Sequence, residues 1–263
     1  WNEFLVHGLR RPESSIADFD GNEDPNERAP LPDGSVFAFD SDVTQVLNSE
    51  IPLRLWIDAS INPILPVYLQ LRVAESGWFR AVMLGRFDEA KQLLRRVVEL
   101  DPAAAQGANQ FLSAEDPEQL RHAALFLYLR APGLSPILRE APIGNEKLGS
   151  PHVSRQCPAA PPIETTFPTF LTPPDRKAAQ EEIRQLNAAP SWWATFALRE
   201  AIDWANRQPN DARIPEALFR AIRMSFYGCK DDETGKYSEQ AYHLLHSRYQ
   251  STTWAAQTKY WYR

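Results

Sequence analysis

The most regular hydrophobic pattern in the chain lies in residues 85–102. Within it, apolar side chains recur at steps of three and four residues, which is the spacing of one face of an α-helix. They are Phe87, Ala90, Leu94, Val97 and Val98. A glycine at the start ends any preceding helix, and a proline at the end stops this one from continuing. The pattern therefore predicts a helix at Phe87–Leu100 whose apolar face needs a partner helix.

Weaker patterns of the same kind predict helices on both sides of this stretch. Helical character begins after Glu50, and residues 67–84 are predicted to form the partner of the 87–100 helix. Asp116 is suited to cap another helix, because its side chain can accept hydrogen bonds from the backbone N–H groups of the first turn. Pro117 fits the first helical position, where its missing N–H is not needed. The helices predicted in the last third cover residues 174–187, 193–207 and 237–249, with one more after the turn at Gln208 and a short one from Ser251.

The first 50 residues lack a helical pattern and are predicted to be irregular. Residues 18–27 carry five carboxylates, which could bind a cation. Gly21 directly follows Asp20, however, and this does not match the spacing of an EF-hand loop, so a solvated polar loop is favoured. Residues 35–40 alternate weakly, which predicts a short strand or an extended connector.

A second region without helical periodicity lies between Pro142 and Pro174, which holds eight prolines. Proline removes a backbone donor and clashes with the preceding turn, so this stretch is predicted to be a connector. Phe167 and Phe170 within it are expected to pack on a helix face. The predicted organisation is an irregular segment at 1–50, a helical block at 51–140, the connector at 141–174 and a C-terminal helical block at 175–263.

The 85–102 stretch resembles the second helix of a tetratricopeptide repeat. The resemblance rests on Gly85, Phe87, Ala90, Leu94, Val97 and Pro102, which lie at the spacings of that repeat. The first helix of the repeat should carry a small residue seven positions before the glycine, where this chain has Trp78 with Gly77 just before it. The partner helix is therefore predicted to be a divergent one.

The C-terminal block resembles repeats of the tetratricopeptide class in bacterial envelope proteins. The similar residues are the Pro215–Arg220 stretch and residues 247–255, although Gln250 stands where the pattern has proline and the polar loop at 228–235 is longer than usual. The two resemblances together imply an all-α fold, a short α-solenoid of helical hairpins. They also imply binding of other proteins rather than a particular chemistry.

Charge and composition narrow the classes of partner. The net charge of −6 opposes binding to nucleic acid through phosphate contacts. No apolar run reaches the roughly 18 residues that a membrane-spanning helix needs, and the N-terminus lacks a signal-peptide pattern. Cys157 and Cys229 match no metal or redox motif, and they are either free or joined in a disulfide in an oxidising compartment.

Catalytic motifs are absent from the sequence, and no cofactor is predicted. His243 and His246 lie three residues apart on a predicted helix and could share a metal ion. With the acidic loops at 18–27 and at Asp231, Asp232 and Glu233, they support the alternative hypothesis of a metal-dependent hydrolase or cation-binding protein. No further ligand lies at a motif spacing beside the histidines, so packing is the simpler interpretation.

Aromatic residues are the most distinctive feature that remains, since the chain has eight tryptophans and eight tyrosines. Aromatic side chains carry much of the binding energy of protein interfaces. The residues predicted to contact a partner are Trp192, Trp193, Trp254, Tyr260, Trp261 and Tyr262. The C-terminal ones are expected either to dock on a partner or to fold back over the helices.

The sequence thus predicts a non-catalytic scaffold subunit of a bacterial, envelope-associated protein complex. Its partners would be proteins, with no nucleic acid and no direct membrane span, although the complex could associate with a membrane. The predicted location is periplasmic or otherwise extracytoplasmic, with the cytoplasm as the alternative. A further hypothesis is that the chain is a fragment of a longer repeat protein whose helices continue before Trp1.

Overall fold

A computed structural model describes residues 1–7, 9–10, 38–39, 41–130, 138, 168–188, 193–227 and 230–262. Their regular structure is helical apart from β1 (Leu9–Arg10) and β2 (Ala38–Phe39), which form a short antiparallel pair. The helices are α1 (Asn2–His7), α2 (Ser41–Glu50), α3 (Leu53–Ser60), α4 (Val67–Met83), α5 (Phe87–Leu100), α6 (Ala105–Ser113), α7 (Pro117–Arg130), α8 (Pro173–Ala188), α9 (Trp193–Arg207), α10 (Ile214–Tyr227), α11 (Thr234–Arg248) and α12 (Thr253–Gln257). The predicted all-α class is therefore confirmed. Within the described ranges, none of the helices is both long and apolar enough to cross a membrane.

The chain forms two compact units, and each is discontinuous in sequence. Unit 1 contains the described residues of Trp1–Ala108, Leu134–Lys147 and Ala159–Leu186. Unit 2 contains those of Asn109–Gly133, Leu148–Pro158 and Asn187–Arg263. As a result, α8 packs with the N-terminal helices, and α7 packs with the C-terminal ones.

The N-terminal 50 residues are less irregular than predicted, because α2 occupies Ser41–Glu50. Its apolar contribution comes mainly from Val43 and Leu47, which are buried one turn apart. Val46 between them is half-buried, and the other residues of α2 are polar, so the hydrophobic pattern was too sparse to predict a helix. The predicted strand or connector at 35–40 is a strand at Ala38–Phe39, and the acidic loop at 18–27 lies outside the described residues.

The core of unit 1 contains the hairpin of α4 and α5, and α5 has the bounds predicted from sequence. Gly85 ends α4 with φ of 68°, a left-handed conformation that glycine adopts without steric cost. The N–H groups of Gly85 and Arg86 donate to the carbonyls of Val82 and Ala81 at 3.0 and 2.9 Å. This pattern of bonds is a Schellman motif, which satisfies the last carbonyls of α4 and reverses the chain.

Gly77 has no side chain, which allows α4 to lie close to α3 and α5. A Cβ atom placed there would lie 3.3 Å from both terminal carbons of Leu93 in α5 and 3.5 Å from the Trp56 ring in α3. The small residue that the repeat resemblance requires near position 78 is therefore found one position earlier. Trp78 itself is fully buried.

Pro102 follows the end of α5 at Leu100, as the sequence predicted, and it also has a second role. It begins a 3-10 helix at Pro102–Ala104, which leads directly into α6. The Asp101 side chain accepts a hydrogen bond from the Ala103 N–H at 3.2 Å, so it caps this new start. Proline fits the first turn of a helix, where its missing donor is not needed. This explains why α6 was not predicted.

In unit 2, helices α9, α10 and α11 pack on one another, and α7 packs on α9 and α10. Asp116 caps α7 as predicted, since its Oδ2 accepts from the N–H groups of Glu118 and Gln119 at 3.0 and 2.9 Å. The predicted small-residue face of α9 is buried at Ala194, Ala197, Ala201 and Ala205. Trp204 is fully buried and stacks on His122 at 4.8 Å between ring centroids.

Candidate protein-binding site

The last described residues of the chain fold back over unit 2. Residues 258–262, here called the C-terminal aromatic segment, follow α12 without regular structure. The Tyr262 N–H donates to Ser238 Oγ of α11 at 3.0 Å. The Thr258 carbonyl lies 2.9 Å from His246 Nε2. Because a carbonyl only accepts, the Nε2 of His246 carries the hydrogen and is occupied by this bond.

Two of the predicted aromatic residues hold this segment in place. Trp261 packs on Tyr242 of α11, with ring centroids 4.9 Å apart. Tyr262 meets Phe226 of α10 edge-on at 5.9 Å, and the Lys230 ammonium lies 4.3 Å from the centre of the Tyr262 ring. Both contacts are of the kind that adds to apolar burial, through ring quadrupoles and cation–π attraction. The segment therefore has a defined position on α10 and α11.

Tyr260 differs from its neighbours, because it is 65% exposed. On one side, the Tyr260 ring packs against Phe226, whose ring centroid lies 5.5 Å away and whose plane is almost perpendicular. A large aromatic side chain that is anchored on one side and open on the other loses little further conformational entropy when a partner covers it. Tyr260 is thus the best placed of the predicted contact residues.

Trp254, another predicted contact residue, is not part of this cluster. Trp254 lies against Phe219 at 5.1 Å, two helical turns before Phe226 along α10. Trp192 lies outside the described residues, and Trp193 begins α9 without a described side-chain position. The geometry of a combined surface made of all six residues therefore stays a prediction.

The two histidines proposed as metal ligands have protein neighbours instead. His246 bonds to Thr258, as described above, and its ring lies 4.2 Å from that of Tyr242. His243 packs beside Trp261, and its Nε2 is 3.8 Å from Glu239 Oε1. Across the described ranges, no group of three or more histidine, cysteine, aspartate or glutamate side chains could hold a metal ion. Cys157 and Cys229 lie outside those ranges.

The acidic turn before α11 uses its first carboxylate to organise the start of that helix. Asp231 Oδ1 accepts from Thr195 Oγ1 at 2.8 Å, from the Glu233 N–H at 2.9 Å and from Thr234 Oγ1 at 3.1 Å. The hydroxyls of Thr195 and Thr234 lie 2.7 Å apart in the buried interior. These bonds join α9 to the turn that leads into α11.

A second site, which the sequence analysis missed, lies in unit 1. Glu182 of α8 is fully buried. Its Oε2 accepts from the Leu53 N–H at 2.9 Å, and its Oε1 accepts from Arg86 Nη1 at 2.7 Å. Leu53 begins α3, and Pro52 before it offers no side-chain cap. Glu182 therefore supplies the missing cap and places its charge at the positive end of the α3 dipole.

Arg80 of α4 is the third residue that contributes to this second site. It is fully buried, donates from Nη1 to the Asn48 carbonyl at 2.9 Å and stands over the Trp56 ring at 5.1 Å. Its Nη2 comes no closer than 3.9 Å to Glu182 Oε2. Burial lowers the pKa of Arg80 to about 10, and the nearby Glu182 charge opposes that shift. We call the Leu53 N–H, Arg80 and Arg86 the carboxylate site.

One sequence signal could have indicated the carboxylate site. Arg80 lies between Phe79 and Ala81 in a helix that is buried on most sides, and a charged residue at such a position requires a partner. Nothing in the pattern identifies Glu182 as that partner.

Comparison with known proteins gives no further identification. No protein-family model matches this chain, and no curated protein or solved structure matches it either.

Proposed function

We propose that this protein is a non-catalytic scaffold subunit that binds another protein through its C-terminal aromatic segment. The observation that carries the proposal is Tyr260, which is 65% exposed while Trp261 and Tyr262 beside it are packed on α10 and α11. Tyrosine is one of the residue types that are enriched among the residues contributing most to protein interfaces.

The helical architecture supports the same proposal. Helices that pack side by side in hairpins can present a surface on which an extended segment or a helix of another protein binds. The resemblance to tetratricopeptide repeats favours this mode of action. By the same resemblance, we propose that the complex is bacterial and envelope-associated, with the protein on the periplasmic side, and that it requires no cofactor.

The experiment is purification of the full chain from its native source, followed by determination of its size and of co-purifying proteins. The proposal expects a complex well above the 29.9 kDa of the chain, with partners at fixed ratio. Tyr260→Ala should weaken the complex at least about tenfold, because central aromatic residues often contribute 2 kcal/mol or more. The matched control is Val67→Ser, since Val67 is also exposed but lies in unit 1.

The possible outcomes distinguish the scaffold function itself from the location of the contact surface. A lone monomer from native material would contradict the scaffold function. A fixed-ratio complex that Tyr260→Ala leaves unchanged would retain the scaffold function but place the contact surface elsewhere.

A further inference from the structure

Helix α8 is attached to unit 1 with very little apolar burial. Of its 16 residues, only Ala179 and Glu182 are buried. By contrast, α5 buries Ala90, Leu93, Leu94 and Val97 out of 14 residues. Apolar burial is the main contribution to the docking of most helices. Something else must therefore hold α8.

Charge complementarity supplies the remaining attachment. Asp175, in the first turn of α8, lies 2.7 Å from Arg54 Nη2 in α3. Two turns further along the same face, Glu182 lies 2.7 Å from Arg86 Nη1 and caps α3 through the Leu53 N–H. Residues at i, i+4 and i+7 share one face of a helix, so Asp175, Ala179 and Glu182 all point to unit 1. The surface beneath α8 is thus arranged to receive two carboxylates with a small residue between them.

The fit at the carboxylate site is incomplete. Among the described residues, Nε and Nη2 of Arg80 have no hydrogen-bond acceptor, although both atoms are buried. Glu182 approaches Nη2 only to 3.9 Å, which is beyond hydrogen-bond distance. A buried guanidinium with two unused donors leaves favourable interactions unmade. A carboxylate that sat deeper in the site would bind more strongly than Glu182 does.

Detached α8 would keep part of its own stabilisation. Thr172 Oγ1 donates to Asp175 Oδ2 at 2.6 Å and accepts from the Asp175 N–H at 3.3 Å, which caps the first turn. On the exposed face, Glu181 pairs with Arg184 at 2.6 Å. These interactions lie within α8 and its cap, so they do not depend on contact with the rest of unit 1.

We propose that α8 is an internal ligand of unit 1, and that the surface it covers binds an acidic helical segment of a partner protein when α8 detaches. The partner helix would carry carboxylates at positions i and i+7 and a small residue at i+4, as α8 does. Its second carboxylate occupies the carboxylate site, caps α3 and reaches Arg80 more closely than Glu182. This surface belongs to unit 1 and does not involve the C-terminal aromatic segment.

The first test is native-state hydrogen exchange on the unmodified full chain across a series of low denaturant concentrations. The amides of α8 should open with a lower free energy and a weaker denaturant dependence than those of α4 and α5, which is the signature of partial unfolding. Exchange of α8 together with α4 and α5, at the rate of global unfolding, would overturn the proposal.

The second test compares Glu182→Gln with Glu181→Gln in the full chain. Glutamine keeps the shape of Glu182 but removes its charge, so α8 amides should exchange on the order of tenfold to a hundredfold faster while α4 and α5 stay protected. Glu181 is the matched control, because it is the adjacent glutamate and its described hydrogen bonds are to Arg184 and Gln185 within α8. Loss of protection throughout unit 1 in Glu182→Gln would show that Glu182 is part of a single cooperative core and would overturn the proposal.

The third test uses a fluorescently labelled, terminally blocked peptide of residues 172–188. It should bind the Glu182→Gln chain at least about tenfold more tightly than the native chain, in which α8 competes for the surface. A peptide carrying the Glu182→Gln change should lose this gain, whereas one carrying Glu181→Gln should retain it. If the native peptide binds both chains equally, or binds neither, the surface is not a site for acidic helices.

Discussion

Two helices, α5 and α8, pack against the same part of unit 1 in opposite ways. The α5 interface is built from aliphatic side chains, and Gly77 of α4 lets Leu93 approach to 3.3 Å from where a Cβ would lie. The α8 interface is built from arginines, carboxylates and one backbone N–H, with Ala179 as its main apolar contact. The first kind of interface is strong because it removes apolar surface from water, and the second is selective because it needs particular partners at particular distances.

The difference shows how unit 1 can combine a stable interface at α5 with an interface at α8 that is expected to open reversibly. Close-packed aliphatic residues lose free energy wherever an atom is removed, so α5 is expected to unfold only with the whole unit. A charged interface can exchange one carboxylate for another without disturbing that core. Three predictions test this contrast, and they follow from the largest expected effect to the smallest.

Removing apolar volume at the α5 interface should have the largest effect. Leu93→Ala is expected to lower the free energy of unfolding by about 2–5 kcal/mol, because it deletes buried carbons and leaves a cavity against Gly77 and Trp56. Urea denaturation followed by circular dichroism measures the change. Gln92→Ala, at an exposed neighbouring position, should change it by less than about 0.5 kcal/mol. A loss below about 1 kcal/mol for Leu93→Ala would mean that α5 is not held by packing.

A change at the turn between α4 and α5 should have an intermediate effect on both interfaces. Gly85→Ala is expected to cost about 1 kcal/mol of stability, because φ of 68° is unfavourable for alanine. No atom lies within 4 Å of the added Cβ, so the cost comes from the backbone conformation and not from a clash.

The position of Arg86 gives this variant a second readout. Since Arg86 follows Gly85 and bonds to Glu182, α8 amides should also exchange faster in Gly85→Ala. Gly85→Asn should cost less than Gly85→Ala, because asparagine tolerates the left-handed conformation better. Equal stabilities for the two variants would contradict the assignment of the cost to the backbone.

Acid should produce the smallest effect, and it should act on α8 and not on α5. The Arg54 hydrogen bond, helped by Thr172, lowers the pKa of Asp175 below its usual range. Because the folded pKa is lowered, this carboxylate stabilises the docked helix above the unfolded pKa of about 3.9. That contribution is lost as the pH falls through the folded pKa. Protection factors of α8 amides, corrected for intrinsic exchange, should therefore fall below about pH 4 while those of α5 stay unchanged.

Arg54→Ala is the control for the acid experiment. It should remove most of this pH dependence and cost only about 0.2–1 kcal/mol, since the Arg54 side chain is largely exposed. An unchanged pH dependence in Arg54→Ala would assign the effect to another carboxylate.

The sequence predicted helices best where local chemistry marks their ends. Gly85 and Asp116 act within one turn of the helices that they end or begin, and both were identified correctly. Helix α2 was missed because few of its residues are apolar, and α6 was missed because Pro102 was assigned only to the end of α5 although it also begins the next helical turn.

For the candidate sites, sequence reasoning reached the residues but not their arrangement. Tyr260, Trp261 and Tyr262 were identified from composition, and the structure adds that only Tyr260 is mostly exposed while the other two are packed. The carboxylate site was not predicted at all, because it consists of one backbone N–H and two isolated arginines that come together only in the folded unit.

Helix class and most helix positions follow from residues that are close together in the chain, since hydrogen bonds and caps of a helix span only a few residues. The contact between Glu182 and Leu53 joins residues that are 129 positions apart. Such a contact leaves no periodic signature, because a single charge can pair with any complementary group that folding brings within a few ångströms. Only the tertiary structure therefore decided that Glu182 of α8 caps α3.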